Sequence, residues 1–164
     1  MREFFESVRL IVGLTLILLL IYGFYWMRPA KMGVDDQSMM PNIKKNQRVY
    51  FSRSVHKITD VSPGDIILYY SLDPKEKQRM DYISRIVAVP GQRVAISSGK
   101  LIIDGKPPTG TVDQSGIIPN NVAEFMVPRE YVFVLYDKRD DDSRKMWQRL
   151  VHLSHIEGKR LSRD

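Results

Sequence analysis

A chain of 164 residues with 43% hydrophobic and 27% charged side chains has material for one domain with a core, and hardly enough for two. It has no cysteine, which excludes disulfides, thiolate nucleophiles and zinc–thiolate centres together. The net charge of +6 favours an anionic neighbour, and since the basic residues are scattered and no nucleic-acid reader motif occurs, a membrane surface fits better than a nucleic acid.

The first element is the run "LIVGLTLILLLIYGFYWM", Leu10 to Met27, 18 residues without a charge. A helix crossing the bilayer core needs about 20 mostly apolar residues. Tyr22, Tyr25 and Trp26 gather at its C-terminal end, where interfacial aromatics belong, and Arg9 and Arg28 bracket it. A cleaved secretory signal has a shorter apolar region and ends on small residues, whereas this run ends in "WMRPAKMG". The expectation is a tail over 1–9, a retained single-pass anchor over 10–27 and a body from 28 to 164. Charge bias alone leans toward a cytoplasmic body, because Arg28, Lys31, Lys44 and Lys45 outnumber Arg2 and Arg9.

After Pro29 the pattern changes to short runs rich in Val, Ile, Tyr and Phe, which predict strands at 47–53, 65–71, 81–89, 92–96, 100–105 and 130–136. Turn punctuation separates them: "SPGD" at 62–65, "PG" at 90–91, "SSGK" at 97–100 and "DG" at 104–105. "RVAISSGKLIIDGK" reads as a β-hairpin with Gly99 available for a positive φ. Residues 107–119 read as a long surface excursion. No helical period recurs outside the anchor. The three histidines, His56, His152 and His155, have no ligand spacing, and nothing calls for a metal or an organic cofactor. The body is therefore expected to be mostly β.

Five segments carry more when taken in order: "SMMP" at 38–41, "PGDIILY" at 63–69, "YISRIVAVPGQRV" at 82–94 with the hairpin ending "IIDGK", "VLYDKRDDDSR" at 134–144, and "IEGK" at 156–159. Alone, Ser38 would be a loop serine and its methionines core residues. Together, the segments resemble the type I signal peptidase family over nearly the whole chain. That resemblance implies an antiparallel coiled β-sheet fold, partly barrel-like, on one transmembrane helix, with the body on the extracytoplasmic side of the cell membrane. It implies a Ser–Lys endopeptidase acting on signal peptides, with Ser38 at the nucleophile position. It implies that Val34, Met39, Ile43 and Ile83 line the pockets for the peptide. It also implies that Asp137, Arg139, Asp142 and Arg144 brace the core.

The chain departs from the pattern at the reaction centre. A Ser–Lys peptidase needs a neutral amine to take the hydroxyl proton, and burial is what lowers a lysine's pKa. The lysine's position is Ser84, which has no basicity near neutral pH, and the adjacent Arg85 does not deprotonate. Asp140 stands where the family has the serine that orients the lysine. Asp36 stands where the family has an oxyanion-stabilising serine or glycine, although an oxyanion needs donors. Tyr136 and Lys138 replace a glycine and an asparagine.

Two functional readings follow. One is a catalytically deficient relative that holds extended segments of exported proteins by β-augmentation. By analogy with non-catalytic Gram-positive homologues, its partners would include pilins and a sortase. The other is an active signal peptidase using Ser38 and a non-lysine base, with Asp140 the candidate if burial raises its pKa. A plain membrane-anchored β domain is the remaining reading.

Overall fold

In the computed structural model, the described residues are 1–26, 29–34, 37–53, 55, 58–72, 77–108, 121–138 and 148–161. Helix α1, Arg2–Trp26, takes in the charged residues 2–9 as well as the apolar run. At 1.5 Å per residue its 25 residues extend about 37 Å, enough for a hydrocarbon core of about 30 Å. Apolar side chains from Leu10 to Tyr25 are exposed all along it. A helix apolar on every side has no polar face to offer water. Its Thr15 hydroxyl donates to the Ile11 carbonyl one turn back, the usual way to satisfy a hydroxyl in an apolar helix.

The body is built from ten strands among the described residues: β1 (Ala30–Gly33), β2 (Arg48–Ser52), β3 (Ile66–Leu72), β4 (Arg79–Ala88), β5 (Arg93–Ser97), β6 (Lys100–Ile103), β7 (Val122–Met126), β8 (Tyr131–Leu135), β9 (Gln148–His152) and β10 (Ile156–Arg160). Seven form one antiparallel sheet in the order β1-β2-β10-β3-β4-β8-β9, and three form a second in the order β6-β5-β7. The large sheet keeps two edges, β1 and β9, among the described residues, so the architecture is antiparallel β without barrel closure. The last strand, β10, inserts between β2 and β3, which ties the C-terminal segment to strands that follow the apolar helix.

All six expected strands are present, each within two residues of its expected ends. Four further strands were not expected. β1 is only four residues, "AKMG", and β10 is "IEGKR", with a glycine and three charges. Neither alternates strongly enough to read as a strand alone. The β5–β6 hairpin turns through Ser98 (φ 50°) and Gly99 (φ 75°), two successive positive-φ residues as a type I′ turn requires. The excursion expected at 107–119 lies mostly outside the described residues.

Alternation sorts the core into two faces of the large sheet. Ile66, Leu68, Ile83 and Val87 join the core shared with the second sheet, which also contains Val34, Met39, Ile43, Val94 and Leu101. Ile67, Tyr69 and Ile86 face the other way, with Val132, Val134, Val151 and Ile156. The register pairs Ile66 with Arg85, Ile67 with Ser84 and Leu68 with Ile83. Directly paired residues share a face, so β4 sends Ile83 and Arg85 toward the first core and Ser84 toward the second.

Candidate active site

The loop between β1 and β2 carries Ser38. Its two ends are clamped together: the Val34 amide donates to the Gln47 carbonyl at 3.1 Å, and the Asn46 amide donates to the Val34 carbonyl at 2.7 Å. Inside the loop, "SMMPN" forms a turn held by the Met40 amide on the Gln37 carbonyl and the Ile43 amide on the Met39 carbonyl. The Met40–Pro41 bond is cis. Met39 and Ile43 are fully buried, while Ser38 between the loop's exposed and buried sides is half-buried. Val34, Met39, Ile43 and Ile83, expected to line the peptide pockets, are buried members of one apolar cluster.

A buried ion pair fixes that cluster laterally. Arg85 donates through Nε to Asp137 Oδ1 at 2.7 Å and through Nη2 to Asp137 Oδ2 at 2.6 Å. The two side chains are 7% and 3% exposed. A third guanidinium donor, Nη1, reaches the Gly64 carbonyl at 2.7 Å, inside the "SPGD" turn where Gly64 has φ 95°. Asn42 Nδ2 donates to Asp137 Oδ2 at 2.8 Å, which joins the serine loop to the pair. The Lys138 amide then donates to the Ser38 carbonyl at 2.8 Å. One carboxylate, Asp137, thus connects β4, the segment after β8 and the serine loop. Arg139, Asp140, Asp142 and Arg144 lie outside the described residues, as does Asp36.

Ser84 is 1% exposed and its Oγ lies 3.3 Å from the Tyr69 hydroxyl, itself in the second core. A buried hydroxyl needs a partner, and Tyr69 supplies one. Position 84 therefore holds a hydroxyl pair, and an ammonium placed there would meet an apolar core that disfavours its charge.

Three contacts of the site had no sequence signal strong enough to find them. Asn42 bonds Asp137 across 95 residues, and Tyr69 meets Ser84 across the β3–β4 pair. Lys138 Nζ donates to Gln37 Oε1 at 2.9 Å, so a lysine stands beside the residue preceding Ser38, from a direction other than β4.

Fold and site together define an antiparallel β domain with one long apolar N-terminal helix, organised around a serine turn and a buried Arg–Asp pair. Residues 4–163 match the model of the signal peptidase family, peptidase S26, and the chain belongs to that family. It is 26% identical over 145 residues to the probable signal peptidase I-1 of Synechocystis sp., covering 84% of this chain and 70% of that protein. It is 30% identical over 105 residues to signal peptidase I S of Bacillus subtilis, covering 64% and 52%. With signal peptidase IB of Staphylococcus aureus it shares 22% over 152 residues, covering 81% and 76%. The chain thus spans from about half to three quarters of the length of these relatives. A crystal structure of a signal peptidase I from Enterococcus faecalis aligns with a TM-score of 0.42 at 24% identity, covering 62% of this chain and 97% of that one.

Proposed function

We propose that this protein is a membrane-anchored, signal-peptidase-like module that binds extended segments of exported proteins without cutting them. Its body stands on the extracytoplasmic side, as the resemblance implies against the charge bias. The bound segment lies along the serine loop, whose shape is set by the buried cluster of Val34, Met39, Ile43 and Ile83, and Ser38 marks the point where a peptidase would attack. The observation that carries the reading is Ser84, buried and paired with Tyr69 where the family's general base belongs. A serine hydroxyl at position 84 cannot take the place of an amine base near neutral pH. Among exported segments, pilin-like proteins and a sortase are the proposed partners by analogy alone, and co-purification from a pilus-forming host tests them.

The second reading, an active peptidase, has one observation in its favour: the Lys138 side chain sits against Gln37, next to Ser38.

Alanine variants separate the two. In the binding reading, the wild type holds a signal peptide but cleaves it no faster than Ser38→Ala, and Lys138→Ala changes neither binding nor cleavage. In the active reading, positioned general-base catalysis contributes about 10²–10⁴-fold, so Lys138→Ala lowers wild-type turnover on that scale. Wild-type turnover that Ser38→Ala and Lys138→Ala both remove would overturn the binding reading.

A further inference from the structure

A cleft opens at the end of the large sheet where the chain leaves α1. It is lined by Pro29, Gln47, Arg48, Val49, Tyr50, Arg160 and Leu161. Among the described residues, no carboxylate lines it. Its volume of about 240 Å³ is below the 300–1,000 Å³ of drug-sized ligand sites, which suits a small polar group. Register explains why it is open. β1 pairs Gly33 with Arg48, and a Cβ built on Gly33 would meet nothing within 4 Å, so Arg48 has free space across the strand pair. Two residues along, Lys31 pairs with Tyr50, and its Nζ lies 6.0 Å from the centre of the Tyr50 ring. The Leu161 amide donates to the Tyr50 carbonyl at 2.9 Å and closes the far side. Tyr50 and Leu161 are 36% and 45% exposed, an apolar and aromatic rim beside a basic floor.

Connectivity decides what such a cleft meets. Trp26 ends α1 and Pro29 lines the cleft, and three residues span at most about 11 Å. The polar layer of each leaflet is about 5–8 Å deep. With α1 as a membrane span, on which this inference rests, the cleft stands in or against the headgroup layer. Exposed tyrosine and leucine beside lysine and arginine is the composition that suits that layer. We infer that the Arg48–Arg160 cleft binds the phosphate of an anionic phospholipid headgroup and so fixes the tilt of the β domain on the bilayer. The chemistry is phosphate recognition by guanidinium and ammonium groups, and the source is the lipid of the leaflet from which α1 emerges.

The lack of native cysteine gives a clean test. A polarity-sensitive fluorophore on Gln47→Cys in the full chain reports the cleft, in nanodiscs of phosphatidylcholine with or without phosphatidylglycerol. The emission is expected to move to shorter wavelength with phosphatidylglycerol and to return at high salt. Arg48→Glu with Arg160→Glu abolishes the shift, while Lys100→Glu with Lys106→Glu, the same charge change on the second sheet, preserves it. Identical wild-type emission in both discs overturns the inference, and that comparison needs no folded variant. A shift retained by the Arg48/Arg160 variant, or lost equally in the Lys100/Lys106 variant, overturns the cleft in favour of general charge. A shift caused by dissolved glycerol 3-phosphate in phosphatidylcholine discs, with none from phosphatidylglycerol, assigns the cleft to a soluble phosphate and overturns the lipid source. Failure of α1 to span the bilayer is distinct, because the chain would then associate with neither disc. Peptide binding enters none of these readouts.

Discussion

Asp137→Ala is expected to lower the unfolding free energy by about 3–5 kcal/mol, the cost of leaving a buried charge without its partner. Among the described residues, Arg85 keeps the Gly64 carbonyl as its one acceptor in that variant, and its side chain is buried. The loss extends to the serine loop, because Asn42 also loses its acceptor. Urea unfolding of the two proteins measures the difference, and the accompanying slope reports whether the loop loosens with it. Replacing both partners, Arg85→Met with Asp137→Leu, is expected to recover most of the stability, since a buried ion pair seldom outperforms apolar side chains of similar size. A single variant as stable as the wild type would mean that the pair is solvated in solution.

Gly158→Ala is expected to destabilise the sheet by about 1–3 kcal/mol, the range for forcing an extra methyl into a packed site. An added Cβ would sit 2.6 Å from the Ser52 carbonyl oxygen and 3.0 Å from Phe51 Cβ. The nearest obstacle is backbone, so strand β10 or β2 has to move. Among the described residues β10 lies between β2 and β3 in the sheet order, and the displacement would reach the end of the serine loop through β2. Thermal unfolding checks the size, and amide exchange across Arg48–Ser52 checks the place. An unchanged midpoint would contradict the close approach.

These two residues also show what the sequence made legible. The strands with dense β-branched and aromatic residues were readable from composition and alternation, and so was the turn at Gly99. β10 was not, because Glu157, Gly158 and Lys159 lie among five residues and only packing explains them: Gly158 lets the backbone of β2 approach, and Lys159 Nζ reaches Asp65 at 3.3 Å. β1 was hidden for the opposite reason, since four residues hold too little pattern. At the site, the order of short motifs singles out Ser38, Ile83 and Asp137 in the sequence. The alternation of β4 explains the division of labour around position 84. Ile83 and Arg85 serve the core under the serine loop, while Ser84 is turned toward Tyr69. Tyr69 and Asn42 escaped notice because a tyrosine in a strand and an asparagine after a proline are ordinary on their own. Their roles exist only through contacts made across the fold.

The central claim, binding without cutting, is tested most directly by the unmodified protein. A radiolabelled signal peptide is incubated with the full chain in detergent or bilayer, and bound and cleaved peptide are counted in the same sample. Saturable binding with cleavage no faster than in the Ser38→Ala variant is the predicted result. Wild-type cleavage that Ser38→Ala abolishes would contradict it.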